Sequence, residues 1–337
     1  MLQRGDNRCR SLDSLRLLGA ALLSLSAACT SLPLVARQAP ERWAFTAPWD
    51  ARSDASARTH AEQLDAVVLD WIMLDTLTGL PIRPYIDSVG RSLPHGTRRL
   101  AMVTSYAYDR FHPALIRRLA MDSVALARSA TAIAATARSG GYSGLVIDFE
   151  GMTGADTALT REVVGVVARA AHDAGLAPVA VAVPASDTVA YPARLFGPSV
   201  DLLIVMLYDE HWSTSPPGPI ASPTWVRRTL ALRVQESGAN RVMAALPFYG
   251  YVWRANQPVA QVISYDEARR MATEAGVALD RDPASSTLHA VRAGPNGWEL
   301  WVSDVGLIDA LEREVAALGV RRIAYWRLGL EDRAVWK

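Results

Sequence analysis

Eight short apolar runs, separated by longer amphipathic segments, restrict the folds open to this chain more than any other feature. They lie at 43–47, 66–71, 99–105, 144–149, 178–183, 201–207, 241–246 and 322–326. Each is rich in Val, Ile, Leu, Ala or aromatic residues, as strands covered on both faces must be. Helical patterns at 112–138, 160–174, 224–237 and 305–318 alternate with them. The last three run into Gly175, Gly238 and Gly319, in the manner of helix-ending glycines. Strand–helix alternation makes an α/β fold, and eight strands make a (β/α)8 TIM barrel. A doubly wound open sheet is the alternative, but no glycine-rich phosphate loop follows the first strand.

The alternation breaks once. Between the seventh strand and the last helix, residues 247–303 are too long for a plain connection. Within them 264–276 reads as a helix opening Ser264-Tyr265-Asp266-Glu267, with capping-box character. Residues 287–302 read as a hairpin turning at Gly294-Pro295-Asn296-Gly297. A small α+β insertion of this kind would wall one side of a groove. Residues 211–223, with five prolines or glycines, read as an ordered loop at the barrel mouth.

In such barrels the working residues sit at the C-terminal ends of strands. Strand four ends Gly144-Leu145-Val146-Ile147-Asp148-Phe149-Glu150. Alternation puts Val146, Asp148 and Glu150 on one face and Leu145, Ile147 and Phe149 on the other. Two carboxyls held that close repel as anions, so one pKa rises and its owner stays protonated near neutral pH. A protonated acid beside an ionised one is what glycosidic-bond cleavage requires; two solvated acids at a strand end is the plainer alternative. Strand six ends Met206-Leu207-Tyr208-Asp209, with Met206 and Tyr208 inward. Strand seven runs into Pro247-Phe248-Tyr249-Gly250-Tyr251-Val252-Trp253, and strand eight ends Tyr325-Trp326. The first two strands contribute Trp49 with Asp50 and Trp71 with Asp75. Acids ringed by aromatics suit a sugar, whose CH faces stack on rings and whose hydroxyls bind carboxylates. Trp43, Trp225 and Trp336 read as packing residues, and Tyr249 and Tyr251 as groove residues or core of the insertion. His211 reads as a loop residue. The six histidines lack metal-ligand spacing, so no metal site is expected.

These pieces together resemble the catalytic barrel of glycoside hydrolase family 18, the chitinase-like family, and above all its bacterial branch of cell-wall and spore-cortex hydrolases. The resemblance spans roughly residues 42–337. It is carried by the strand-four segment, Val205-Met206-Leu207-Tyr208-Asp209, Leu246-Pro247-Phe248-Tyr249-Gly250-Tyr251 and Ala324-Tyr325-Trp326-Arg327-Leu328-Gly329-Leu330-Glu331-Asp332. It implies a retaining glycosidase, without cofactor, acting on β-linked N-acetylglucosamine-containing glycans such as peptidoglycan, poly-N-acetylglucosamine or chitin-type polymers. In that scheme Glu150 is the general acid and the substrate's own N-acetyl group is the nucleophile. Asp148 orients that group, Tyr208 bonds its carbonyl oxygen, and Trp326 is the floor under the reacting sugar. Met206 and Asp209 complete the pocket; Tyr249, read above as a groove residue, is expected on the substrate. The family pattern has two further acids where this chain has Ser143 and Val146. Without the inner one, Asp148 loses a like-charge neighbour and is expected to ionise more readily. A glycan-binding protein of the same fold that lost turnover is the alternative, disfavoured by retention of a proton donor.

The first residues read as an export signal. Arg4, Arg8, Arg10 and Arg16 precede an apolar run at 17–28, too short to span a bilayer. Leu25-Ser26-Ala27-Ala28-Cys29 resembles a bacterial lipoprotein signal, with Ser26 where a large aliphatic residue is usual; an ordinary secretory signal is the alternative. On this reading 1–28 are the signal, 29–41 a tether, and Cys29 carries a lipid. The protein is then expected in the cell envelope, membrane-anchored or else periplasmic or secreted. Cys9 and Cys29 are the only cysteines, so the folded region has no disulfide and relies on its core. A formal net charge of +1 without a dense basic block argues against a nucleic-acid partner.

Overall fold

The computed structural model describes residues 39–83 and 89–337; the residues read as a signal, Cys29 and most of those read as a tether lie outside them. Eight parallel strands form the barrel: β1 Glu41–Phe45, β2 Ala66–Leu74, β3 Arg98–Thr104, β4 Gly144–Asp148, β5 Val179–Pro184, β6 Leu202–Met206, β7 Val242–Pro247 and β8 Arg322–Trp326. Each pairs with its sequence neighbour, and β1 pairs with both β2 and β8, so the sheet closes. The (β/α)8 barrel read from the sequence is therefore the fold, and the open sheet is excluded.

Strand boundaries differ from expectation mainly at β1, which spans 41–45 rather than 43–47, and at β2, which runs on to Leu74 rather than ending at 71. Glu41 accepts hydrogen bonds from Trp43 Nε1 and from the Arg98 and Arg322 guanidiniums at the barrel's lower rim, so charge there stitches strands together. In β2 the register slips between Val68 and Asp70, leaving one extra residue. That bulge turns Trp71 into the barrel; unbroken alternation from Ala66 and Val68 would have sent it to the helix side.

Alternation divides the core in two. Val146 joins Trp43, Phe45, Trp71, Leu100, Met102 and Met243 inside the barrel. Leu145, Ile147 and Phe149 face the helices. Each such side chain contributes roughly 1.5–3 kcal/mol by leaving water.

The helical ring is uneven. The expected 112–138 helix is two, Pro113–Met121 and Ser123–Ser139. Asp122 breaks it by adopting an extended conformation, and its carboxylate caps the second helix at Val124 N (3.1 Å) and Ala125 N (2.9 Å). Helices Thr157–Asp173, Pro223–Ser237 and Val305–Ala317 fall where the periodicity put them. An unanticipated helix, Ala51–His60, follows β1; it has little apolar patterning but is capped by Asp50. Among the described residues no α-helix follows β2, and one turn, Ala193–Phe196, follows β5.

The insertion is richer than a helix and a hairpin. Five antiparallel segments stand in the order Gln261–Ile263, Gly250–Arg254, Trp298–Val302, Leu288–Arg292, Asp280–Arg281. Helix Tyr265–Ala275 opens with the Ser264/Glu267 capping box and ends at Gly276 with φ 64°. Val252, Ala268, Ala272, Trp298 and Leu300 form its own small core.

Candidate active site

β3 and β4 end side by side, with Thr104 opposite Asp148. Asp148 is buried and accepts a hydrogen bond from Thr104 Oγ1 at 3.0 Å. Glu150, two residues on, is hydrogen-bonded to Asp148. Burial pushes the Glu150 carboxyl well above the usual range, and the charges of Asp148 and Asp209 push it further. Burial likewise pushes Asp148 up to about 6, with the bonds from Thr104 and Glu150 pulling the other way. Near neutral pH the pair therefore favours keeping one shared proton, with Glu150 the more strongly raised of the two. Even without an acid at Val146, Asp148 stays above the ordinary carboxylate range. Val146 is fully buried in apolar surroundings, and loss of water is the main cause of that rise.

This has a measurable cost in stability. Asp148's folded pKa lies above its unfolded value near 3.8. Between the two, the folded state binds more protons than the unfolded one, so stability falls as pH rises through that window and stays lost above it. Asp148→Asn is expected to raise stability at pH 7.5 by roughly 1–3 kcal/mol, a gain that vanishes towards pH 4. Melting curves of both proteins across that range test it; a difference independent of pH would refute it.

The loop after Glu150 is fixed from several sides. Gly151 takes φ 79°, a left-handed turn. Asp156 accepts from Thr153 N (2.9 Å) and Oγ1 (2.7 Å) and from both arms of Arg117 at 2.7 Å. These bonds hold its carboxyl far below the ordinary range.

β6 delivers Met206 and Tyr208 to the cleft. Burial pushes the Tyr208 hydroxyl well up, so it remains a donor. Asp209 follows at φ 60° and also lines the cleft. Its carboxylate accepts from the hydroxyls of Tyr249 and Tyr251. Tyr249, expected on the substrate, is instead buried behind Asp209 and off the cleft lining: it lies in the two-residue link between β7 and the strand Gly250–Arg254, and its hydroxyl donates to that carboxylate.

At the end of β8, Trp326 sits among Phe45 (ring centroids 5.4 Å), Trp71 (5.9 Å) and Tyr208 (6.3 Å, interplanar 21°). The Trp326–Arg327 peptide is cis. Arg327 bonds the Asp50 carboxylate at 3.0 Å, tying β8 to the cap of the first helix. Asp75 instead closes a turn through Leu77 N and Thr78. His211 bonds the Pro219 carbonyl, within its own loop.

The cavity holding these residues measures about 450 Å³. Trp49, Trp71, Tyr106 and Phe111 line it, with Trp49 packed edge-on to Trp71 and Tyr106 edge-on to Phe111. Tyr106 and Phe111 come from a two-rung hairpin above β3 that left no sequence signal. Trp225, expected in packing, lines the cavity at the start of helix Pro223–Ser237. Trp43 is wholly buried as expected, and Trp336 stacks on His60.

No family model matches the chain. It is 24% identical over 251 residues to the uncharacterized glycosylase YvbX of Bacillus subtilis (strain 168), covering 70% of this chain and 72% of that one. It is 24% identical over 253 residues to the cortical fragment-lytic enzyme of the same organism, covering 71% and 59%. The chain thus spans about three fifths of that relative's length. Among solved structures, the Bacillus cereus spore cortex-lytic enzyme SleL superposes with TM-score 0.79 at 20% identity, covering 88% and 73%. A chitinase from Chromobacterium violaceum ATCC 12472 gives TM-score 0.76 at 21% identity, covering 88% and 97%. These matches agree with the resemblance read from the four motifs: the chain is similar in sequence to Bacillus glycosylases and cortex-lytic enzymes, and it shares the barrel fold of a spore cortex-lytic enzyme and a chitinase.

Proposed function

We propose that the protein is a retaining glycosidase that cleaves β-linked N-acetylglucosamine-containing glycans with help from the substrate's own acetamido group. One arrangement carries this reading: buried Asp148 hydrogen-bonded to half-buried Glu150, both carboxyls pushed upward, facing an aromatic-lined cavity beside the Tyr208 hydroxyl. The names of its relatives, cortex-lytic enzyme and chitinase, support the same class of polymer.

Glu150 gives its proton to the leaving glycosidic oxygen while the acetamido carbonyl oxygen attacks the anomeric carbon from the other face. The C–O bond to the leaving group breaks and an oxazolinium ion forms. Asp148 accepts the acetamido N–H and balances the positive charge, and Tyr208 donates to the attacking carbonyl oxygen to hold its aim. Trp326 carries the sugar ring above. Glu150, now anionic, takes a proton from the water that opens the ring, and configuration is retained. Holding the nucleophile on the reacting sugar supplies a large effective molarity, so no enzyme carboxylate has to attack.

Chitin oligomers, purified peptidoglycan and de-N-acetylated glucosamine polymer are the substrates to compare. Cleavage is expected only where an N-acetyl group adjoins the scissile bond, and a thiazoline mimic of the cyclic ion is expected to inhibit. Rapid cleavage of the free-amine polymer would overturn the mechanism. Oligosaccharide binding without any turnover would favour the glycan-binding alternative.

The leader makes the cell envelope the proposed location, with Cys29 as lipid attachment site. Cys29→Ser is then expected to release the protein from membranes or block its processing. Undiminished labelling by a fatty-acid probe would sink the anchor.

A further inference from the structure

Arg233 is buried without any exposure in helix Pro223–Ser237, outside the cavity lining. A buried guanidinium is costly unless its donors are satisfied, and here they go mostly to one loop. Nε bonds Ala185 O (3.2 Å), Nη1 bonds Tyr191 O (2.7 Å), and Nη2 bonds Asp187 O (2.8 Å) and Pro184 O. Glu236 balances the charge, accepting from Nη1 at 3.1 Å. Pro184, Ala185 and Ser186 of that same loop line the cavity.

Tyr191, at the loop's far end, carries the restraint to the acid. Its hydroxyl donates to Phe149 O at 2.9 Å and accepts from Met152 N at 3.0 Å. Those two backbone groups flank Glu150 and Gly151. The phenol is buried, so it stays protonated and keeps both bonds.

We propose that Arg233 and Tyr191 are positioning residues for Glu150, locking the backbone on both sides of the acid and the adjoining cavity wall into one rigid piece. This rests on Glu150 acting as the proton donor. Neither residue touches the substrate; they set where the donor stands, and small misplacements of a reacting group are expensive.

Tyr191→Phe removes one oxygen and leaves the ring's packing in place. On a fluorogenic β-linked N-acetylglucosamine oligosaccharide, kcat is expected to fall roughly tenfold with KM within about twofold. Around Glu150 stand the carboxyls of Asp148 and Asp209 and the phenols of Tyr208 and Tyr191. Loosening its loop admits water, weakens the effect of burial, and moves the alkaline limb of the kcat profile to lower pH. In a Glu150→Gln background the same change is expected to cost less than about twofold, because there is no proton left to position. Arg233→Lys, with fewer carbonyls in reach, should give the same signature. Equal losses in both backgrounds, a loss confined to KM, or an unmoved pH profile would each overturn the proposal. Wild-type turnover in Glu150→Gln alone would instead overturn the assignment of the acid, and so separates the two failures.

Discussion

Glu150→Gln is expected to lower turnover by two to four orders of magnitude, the usual consequence of losing a general acid. The amide keeps the shape of the carboxyl and can still donate to Asp148, so the cavity stays closed around the same rings. Oligosaccharide affinity should change little, since the lost interaction matters mainly once the glycosidic bond is breaking. Single-turnover kinetics and direct binding, measured on one preparation, separate the two effects. Wild-type rates in the variant would remove Glu150 from the chemistry.

Gly144→Ala should be among the most damaging small changes to the barrel. A Cβ at the start of β4 would stand 2.4 Å from the Pro178 carbonyl oxygen and 2.8 Å from a Leu100 methyl. Backbone cannot step aside as a flexible side chain can, so β4 must shift and carry Asp148 and Glu150 with it. A loss of about 3 kcal/mol is expected, at the upper end of ordinary overpacking. Gly165→Ala is the contrast: it lies within helix Thr157–Asp173, and its added methyl would meet Ser199 Oγ at 3.4 Å. There helix propensity favours alanine by up to about 1 kcal/mol. Denaturant midpoints for both variants check the pair; equal midpoints would refute the close-approach argument.

The barrel was legible because its strands are buried on both faces and so stand out as apolar runs. The chemistry was legible because strand ends are fixed by alternation: Asp148, Glu150, Met206, Tyr208 and Trp326 all reach the cavity. What escaped depends on events that leave no periodicity. One extra residue in β2 decides where Trp71 points. Helix Ala51–His60 is polar and rests on its cap. The insertion's sheet includes pieces only two or three residues long, below any pattern. Tyr249 was misplaced because alternation says nothing once a strand has ended and the chain is turning. Arg233 and Tyr191 gave no signal at all, since one looks like a helix-surface arginine and the other like a loop tyrosine.

The buried acid pair also bears on how such a protein could drift. Asp148 is buried and Glu150 half-buried, each carboxyl pushed upward at a cost to the folded state, so replacing either by its amide is downhill in stability. A lineage freed from the need for turnover would lose these acids early, by single substitutions that the fold would welcome. A barrel of this shape that still carries both is a poor candidate for a retired enzyme. The same reasoning gives a cheap way to sort its look-alikes: those with Asn or Gln at these two positions should melt higher and cut nothing.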